Sequence, residues 1–179
     1  MLEDAAVDHI AVRPDIDETA VKERQTDPAD IAAELAEAKA TAVSGSHPDD
    51  WVIGSDSVVS VAGRLFDKPR SRDEAADHLQ FFSGKSLVLT SAVALARGGT
   101  VDWTHVDQAE LDVRSLSSDF IEAYLEVEWP EVSYCVGVFR MEGPGVQLFD
   151  NVLGSYFTIL GMPLIPLLGA LRERRVLQS

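Results

Sequence analysis

The hydrophobic positions of the chain alternate between helical and extended spacing, beginning with a helix over residues 28–43. Ile31, Leu35, Ala38 and Ala42 recur at the period of one helix face. Asp27 followed by a proline is typical of a helix start, because the aspartate accepts first-turn amide hydrogens and proline has no amide hydrogen to place there. Polar residues at 45–50 are expected to end the helix.

An unusual polar interruption follows at residues 54–57, which read GSDS between the apolar runs 51–53 and 58–61. We expect a tight turn here that brings the Asp56 carboxylate into a cleft at the end of a strand. An aspartate that merely caps a turn through nearby backbone amides is an equally good interpretation. A second turn is predicted at 62–63.

The rest of the pattern predicts further helices and strands of ordinary length. Ser71 with Glu74 three residues later forms a capping box, and residues 97–100 join two strands. The remaining predicted elements are a helix to residue 82, strands at 87–96 and 101–113, a helix after 117–118, a strand at 134–139, a loop at 142–145 and a helix at 165–175. One mixed α/β domain over residues 1–179 is the simplest interpretation, with an antiparallel central part.

Charge and composition narrow the function classes. The formal net charge of -15 disfavours binding to a nucleic-acid polymer, which needs clustered lysine and arginine. The single cysteine, Cys135, excludes an internal disulfide and a multi-thiolate zinc site, so we expect any metal to have oxygen ligands. No apolar run approaches the ~20 residues of a membrane span, and the acidic start lacks the charged region of a signal peptide, so we expect a cytoplasmic protein.

Three groups of charged residues are candidates for chemistry besides Asp56. Lys39 lies at the edge of the first helix's apolar stripe, where it either meets an anion or extends its ammonium to water. Lys68 precedes a proline and either reaches a phosphate or is solvated. The Asp17–Glu18 pair is a metal ligand or general base, or else a solvated acidic loop. Because no nucleophile motif and no zinc spacing of histidines occur, water activated by a carboxylate is the favoured chemistry.

A colinear series of motifs resembles a known family. The strings are DIDE, ELAEAKA, VIGSDSVV, DKP, SGK, VGVFRMEG and GSYFTILGMPL. Together they resemble the Maf family of nucleoside triphosphate pyrophosphatases, also called septum-formation inhibitors. The resemblance implies a fold similar to the inosine triphosphate pyrophosphatases, with a mixed twisted sheet, flanking helices and a cleft between two lobes. It implies hydrolysis between the α and β phosphates, which releases a monophosphate and pyrophosphate.

The resemblance also implies roles for particular residues. Asp56 matches the catalytic aspartate that accepts a proton from water, and Asp56 with Glu18 would lie near a divalent Mg²⁺ or Mn²⁺ ion. Glu18, Lys39 and Lys68 match the family's other acidic and phosphate-facing positions. Ser57 and Glu142 match positions to which base selectivity is attributed.

Two departures from the family pattern refine this expectation. Many members have threonine at the position of Ser57 and glutamine at that of Glu142, and the string with Glu142 is more similar to the branch associated with 7-methylguanosine triphosphate. A catalytically weak nucleotide-binding protein that regulates cell division is the alternative.

The second departure concerns the start of the chain. The family begins with a strand and a Ser-x-Ser-x-x-Arg loop that would lie upstream of MLEDAAVDH. Val7, Ile10 and Val12 are therefore expected to lack a packing neighbour, which would favour a homodimer and slow turnover.

Overall fold

The computed structural model describes residues 1–178 and contains helices on a five-stranded sheet. The helices are α1 Glu18–Arg24, α2 Pro28–Ser46, α3 Arg72–Phe82, α4 Ser118–Glu128, α5 Tyr156–Ile159 and α6 Leu164–Glu173. The strands are β1 Val52–Val61, β2 Arg64–Phe66, β3 Ser86–Arg97, β4 Thr100–Val113 and β5 Phe149–Leu153, and short 3₁₀ helices span Glu131–Tyr134 and Pro144–Leu148. The strand order is β2-β1-β3-β4-β5, which confirms the predicted α/β class.

The pairing at the two edges of the sheet is antiparallel. Val59 pairs with Phe66 between β1 and β2, and Leu111 pairs with Val152 between β4 and β5. The β1–β2 hairpin closes over residues 62 and 63, which both have positive φ, at the predicted turn. Within residues 1–178, no helix combines the length and apolar character that a membrane crossing requires.

The chain divides into two compact units. The first contains Met1–Ser57, Thr90–Asp107 and the chain from Ser155. Its core forms where α6 packs on the apolar centre of β3, because both present leucine, valine and alanine on their facing sides. The buried members of this core are Val7, Val93, Leu95, Leu164, Leu167, Ala170 and Leu171.

The second unit contains Val58–Leu89 and Gln108–Gly154. Helices α3 and α4 pack against each other there. Phe66 lies edge-on to both His78 and Phe82, with ring centroids 5.0 and 4.8 Å away. Edge-to-face contacts of this kind stabilise an aromatic cluster beyond the area it buries.

The predicted helix starts are confirmed in detail. Asp27 accepts hydrogen bonds from the amides of Ala29 and Asp30, at 2.8 and 3.3 Å. Ser71 accepts from the Glu74 amide at 3.1 Å. Helix α2 continues to Ser46, so the predicted loop at 45–50 begins two residues too early.

The buried stripe of α2 also differs from the predicted one. Ala36 and Ala40 are fully buried, whereas Ala42 is exposed. The apolar positions from 36 to 42 are all alanine, so no large apolar side chain indicates which face turns inward, and this explains the error.

Several other predictions are wrong. Residues 54–57 form no turn, since β1 is continuous through them. The predicted strand at 134–139 is a 3₁₀ end and an irregular turn, in which the Val138 amide donates to the Cys135 carbonyl at 3.1 Å. Strand β5 was not predicted, because a glycine-rich and proline-rich stretch precedes it.

The acidic pair at 17–18 is not a loop either. Asp17 caps α1 by accepting from the Thr19 amide at 3.0 Å, and Glu18 is the first residue of the helix. Near the start of the chain, the expectation that Val7 lacks a packing neighbour is wrong, because it is buried in the first unit's core with leucines of α6. Ile10 and Val12 are 89% and 49% exposed.

Candidate active site

The site is built where β1 passes unusually close to α2, at Gly54. A Cβ placed on Gly54 would lie 2.2 Å from the Ala36 carbonyl oxygen and 2.6 Å from the Ala40 amide nitrogen. Only glycine permits this approach of strand to helix. Lys39 and Asp56 lie next to this crossing on the two elements, and the close approach explains how a helix side chain reaches the strand.

Lys39 is held between two carboxylates. Its Nζ lies 2.5 Å from Oδ1 of Asp56 and 2.9 Å from Oε1 of Glu18. The side chains of Lys39 and Asp56 are only 19% and 13% exposed, whereas that of Glu18 is 45% exposed. A mostly buried ammonium therefore has charged partners, as a lysine in that position needs.

Helix α1 supplies Glu18 to this group. The helix packs on α2, and Arg24 forms an ion pair with Glu34 of α2 that ties its end down. Lys22 lies one turn after Glu18, on the same helix face. Its charge also acts on the pKa of Asp56, so Lys22 belongs to the neighbourhood of the site.

The two buried groups have shifted ionisation. Burial raises the pKa of Asp56, and the negative charge of Glu18 adds to this, while the hydrogen bond and charge of Lys39 oppose it. Burial lowers the pKa of Lys39, but its hydrogen bonds to Asp56 and Glu18 and their negative charges raise it overall. Lys39 therefore stays charged, and Asp56 is a stronger base than an exposed aspartate.

The serines that flank Asp56 point to the other face of β1. Successive side chains of a strand alternate in direction, so Ser55 and Ser57 lie opposite Asp56. The Ser55 hydroxyl lies within hydrogen-bonding distance of two carbonyl oxygens, that of Gly161 at 2.7 Å and that of Ala92 at 2.9 Å. This face anchors β1 to the segment that follows α5.

Ser57 is part of a short chain of hydroxyl groups. The Ser57 and Ser91 hydroxyl groups are hydrogen-bonded to each other at 2.7 Å. The Thr158 carbonyl lies 2.8 Å from the Ser91 hydroxyl, and the Gly161 carbonyl lies 3.3 Å from that of Ser57. Thr158 in turn donates its hydroxyl to Asp107 at 2.6 Å. The Ser57 hydroxyl is thus engaged inside the protein.

Lys68 and Glu142 belong to the second unit. Both side chains are exposed, and the charges of both act on the pKa of Cys135, which burial raises. The loop that carries Glu142 follows Phe139 and is anchored to α4 by an ion pair between Arg140 and Glu128. Of the predicted residues, the structure thus brings Asp56, Lys39 and Glu18 into contact within the first unit.

Comparison with known proteins decides the family. The family model described as Maf-like protein matches residues 1–174. The chain belongs to the Maf family. The resemblance that the motif series indicated is therefore confirmed by a match over nearly the whole chain.

Curated Maf relatives align over most of their length. A "7-methyl-GTP pyrophosphatase" of Rhizobium etli is 44% identical over 169 residues, covering 94% of this chain and 82% of that protein. Another of the same name from Brucella suis biovar 1 is 42% identical, covering 100% of this chain and 92% of that protein. A "Nucleoside triphosphate pyrophosphatase" of Granulibacter bethesdensis is 41% identical, covering 99% and 92%.

Two residues of this Maf chain were not found from sequence. Lys22 had only its spacing from Glu18 as a signal, and Glu128 looked like an ordinary acidic residue near the end of a helix. As for metal ligands, residues 1–178 contain no group of three or more histidine, cysteine, aspartate or glutamate side chains arranged around one point. Asp56 and Glu18 are the two carboxylates that converge on the Lys39 ammonium.

Proposed function

We propose that this chain is a nucleoside triphosphate pyrophosphatase in which Asp56 is the proton acceptor. The observation that carries the proposal is the ion-pair group in which the mostly buried Asp56 and Lys39 side chains meet the half-exposed Glu18. A buried carboxylate of raised pKa beside a fixed cation is the combination expected at a hydrolytic site. The names of the three relatives described above, all pyrophosphatases, support the same reaction class.

The reaction needs positioning and charge neutralisation more than covalent catalysis. A water oxygen forms a bond to the α phosphorus, the bond from that phosphorus to the bridging oxygen breaks, and pyrophosphate leaves. The water's proton passes to the Asp56 carboxylate, whose raised pKa makes it a better acceptor. The Lys39 ammonium places fixed positive charge beside the reacting phosphates.

A divalent cation fits the donor set. Mg²⁺ is commonly held by one or two carboxylates together with substrate phosphates, and Asp56 and Glu18 provide two hard oxygen donors on one side of Lys39. When bound, the ion would neutralise charge on the phosphates. We propose Asp56 and Glu18 as its protein ligands.

The finer proposal is that the nucleotide is 7-methyl-GTP. Methylation at N7 gives guanine a positive charge, which an exposed carboxylate attracts. Glu142 offers such a carboxylate on the loop after Phe139, and its position matches the glutamine found in many other members. Two of the relatives described above carry this substrate in their names.

The decisive variant is Asp56→Asn, which keeps the shape of the side chain and removes its basicity. We expect kcat to fall by about 100-fold or more in a pyrophosphate-release assay with Mg²⁺, the usual scale for loss of a general base. Asp102→Asn is the matched control, because Asp102 is a half-exposed carboxylate that pairs with Arg174 in the same unit and not with Lys39, so its loss should leave kcat within about twofold. A folded Asp56→Asn protein with normal turnover would exclude the assignment.

A further inference from the structure

The loop that carries Glu142 is fixed to α4 by a carboxylate that the reaction does not use. Glu128 is the last residue of α4, and its side chain is only 2% exposed. Its two oxygens each accept from Arg140, from Nε at 2.9 Å and from Nη2 at 3.0 Å. This two-point geometry fixes the guanidinium plane as well as its distance.

A second contact from α4 holds the chain just before Arg140. The Tyr124 hydroxyl donates to the Val138 carbonyl at 3.0 Å, and both groups are buried. Helix α4 therefore forms hydrogen bonds with residues 138 and 140, shortly before the exposed Glu142.

The loop folds back onto the backbone of Arg140. The Gly143 amide donates to the Arg140 carbonyl at 3.2 Å. A Cβ on Gly145 would lie 2.5 Å from the Arg140 carbonyl oxygen and 2.7 Å from its amide nitrogen. Because glycine alone tolerates that approach, residues 143–145 pack directly on Arg140, and the position of Glu142 between them depends on where Arg140 is held.

We infer that Glu128 is a positioning residue that sets nucleotide selectivity, acting through Arg140 on the orientation of Glu142. The inference rests on the proposed function, in which Glu142 meets the base. A buried carboxylate is unfavourable without its partner, so the pair resists displacement and keeps the loop in one arrangement. Glu128 itself is too buried to contact a nucleotide.

The test compares how variants choose between two nucleotides. The ratio of kcat/KM for 7-methyl-GTP to that for GTP is measured for the wild-type chain, Glu128→Gln, Glu142→Gln and the double variant. We expect Glu128→Gln to change this ratio by about fivefold, in the same direction as Glu142→Gln. The ratio of the double variant should be close to that of Glu142→Gln alone, because the effects of residues that act through one another are not additive.

Glu122→Gln is the matched control. Glu122 is also on α4 and also pairs with an arginine, Arg72 of α3, at 2.8 Å, but that arginine lies outside the loop. The control should leave the ratio unchanged. If Glu128→Gln does not fold, as judged by circular dichroism, Arg140→Lys replaces it under the same criterion, because lysine keeps the charge and loses the two-point geometry.

Two results would overturn the inference. One is an equal fall of kcat/KM for both nucleotides, which indicates a structural role only. The other is a shift in Glu128→Gln that adds fully to that of Glu142→Gln. Should the wild-type chain release no pyrophosphate from either nucleotide, the proposed function fails, and the same comparison is made with dissociation constants for the two nucleoside monophosphates, where an unchanged ratio in Glu128→Gln overturns the inference independently.

Discussion

At the scale of single residues, Asp56 depends on two neighbours of opposite charge. Lys39 stabilises the ionised carboxylate by a hydrogen bond and by its charge, whereas Glu18 destabilises it by repulsion. Burial acts in the same direction as Glu18 and has the larger effect. The basicity of Asp56 is therefore set by a balance that each neighbour's removal should disturb in a predictable direction.

The acid limb of the pH profile should report this balance. A base works only when ionised, so kcat/KM rises with pH through the pKa of Asp56. Glu18→Gln removes a repulsive charge, so the acid limb of its kcat/KM profile should lie at lower pH than that of the wild type. Lys39→Met removes a stabilising cation, so the acid limb of its remaining activity should lie at higher pH. Shifts in the same direction for both variants would contradict this account.

Sequence reasoning found these three residues for different reasons. Lys39 lies at the edge of an apolar stripe, and a buried ammonium requires an anion. Asp56 is a candidate because it interrupts two apolar runs, and Glu18 because it belongs to an acidic pair, while the resemblance to the family adds their roles. The turn expected at Asp56 does not exist. Ser57 was assigned to base selectivity, but the direction in which its hydroxyl points follows from strand alternation, and that alternation was hidden because the strand was read as two pieces.

At the scale of elements, the crossing of β1 over α2 decides whether the site forms. Gly54→Ala places a methyl group against the Ala36 carbonyl and the Ala40 amide, which are backbone atoms and cannot rotate away. We expect a loss of about 3 kcal/mol in unfolding free energy, at the upper end for overpacking. Urea denaturation monitored by circular dichroism measures it.

Gly45→Ala is the control for that substitution. Gly45 lies near the end of the same helix, and a Cβ there would meet nothing within 4 Å. Alanine should stabilise the helix by about 0.5 kcal/mol. Equal effects of the two substitutions would show that the close approach at Gly54 is not the cause.

Helix α3 contains a histidine whose protonation should destabilise the fold. His78 is buried against Phe66 and Phe82, and its Nδ1 has no hydrogen-bond partner. Burial lowers its pKa below 6.5, helped by the charge of Arg64 and opposed by that of Glu74. Stability from this group is thus complete above about pH 6.5 and is lost as the pH falls from there towards the lowered pKa.

A variant without the imidazole should therefore lose less stability than the wild type as the pH falls. Between about pH 7.5 and pH 5, the Tm of His78→Leu should fall less than that of the wild-type chain, because the leucine side chain cannot accept a proton. His47→Leu, at an exposed position, should lose as much as the wild type. A parallel pH dependence for wild type and His78→Leu would count against this role.

Most helices could be predicted, because caps are local signals. Asp27, Ser71 and Ser117 each precede an apolar repeat, and each accepts the expected amide hydrogen. The failures involve long-range causes. Residues 54–57 look like a turn until α2 covers Gly54, and β5 exists only because β4 offers it an edge to pair with.

At the scale of the whole molecule, the proposed binding of an anionic nucleotide is opposed by the protein's own net negative charge. A formal net charge of -15 surrounds a site that is proposed to bind a triphosphate. Lys39 and Lys68 provide cations at the predicted phosphate-binding positions, and Lys22 adds one near Asp56. The long-range field of the acidic residues nevertheless repels the substrate before it reaches them. The two effects differ in range, so salt separates them.

Raising the ionic strength should therefore increase kcat/KM at low salt. Between about 10 mM and 100 mM monovalent salt the Debye length falls from about 30 Å to 10 Å, which screens the distant acidic residues more than charges in direct contact with the phosphates. With free Mg²⁺ held constant, we expect kcat/KM for the nucleotide to rise by about twofold or more over this range, because association depends on the summed field. A variant in which exposed acidic residues that are not among the charges acting on the pKa of Asp56 are neutralised, such as Asp4, Asp49 and Glu173, should start higher and rise less. A steady fall of kcat/KM with salt in the wild-type chain would mean that the lysines' local attraction outweighs the net charge at every distance that matters.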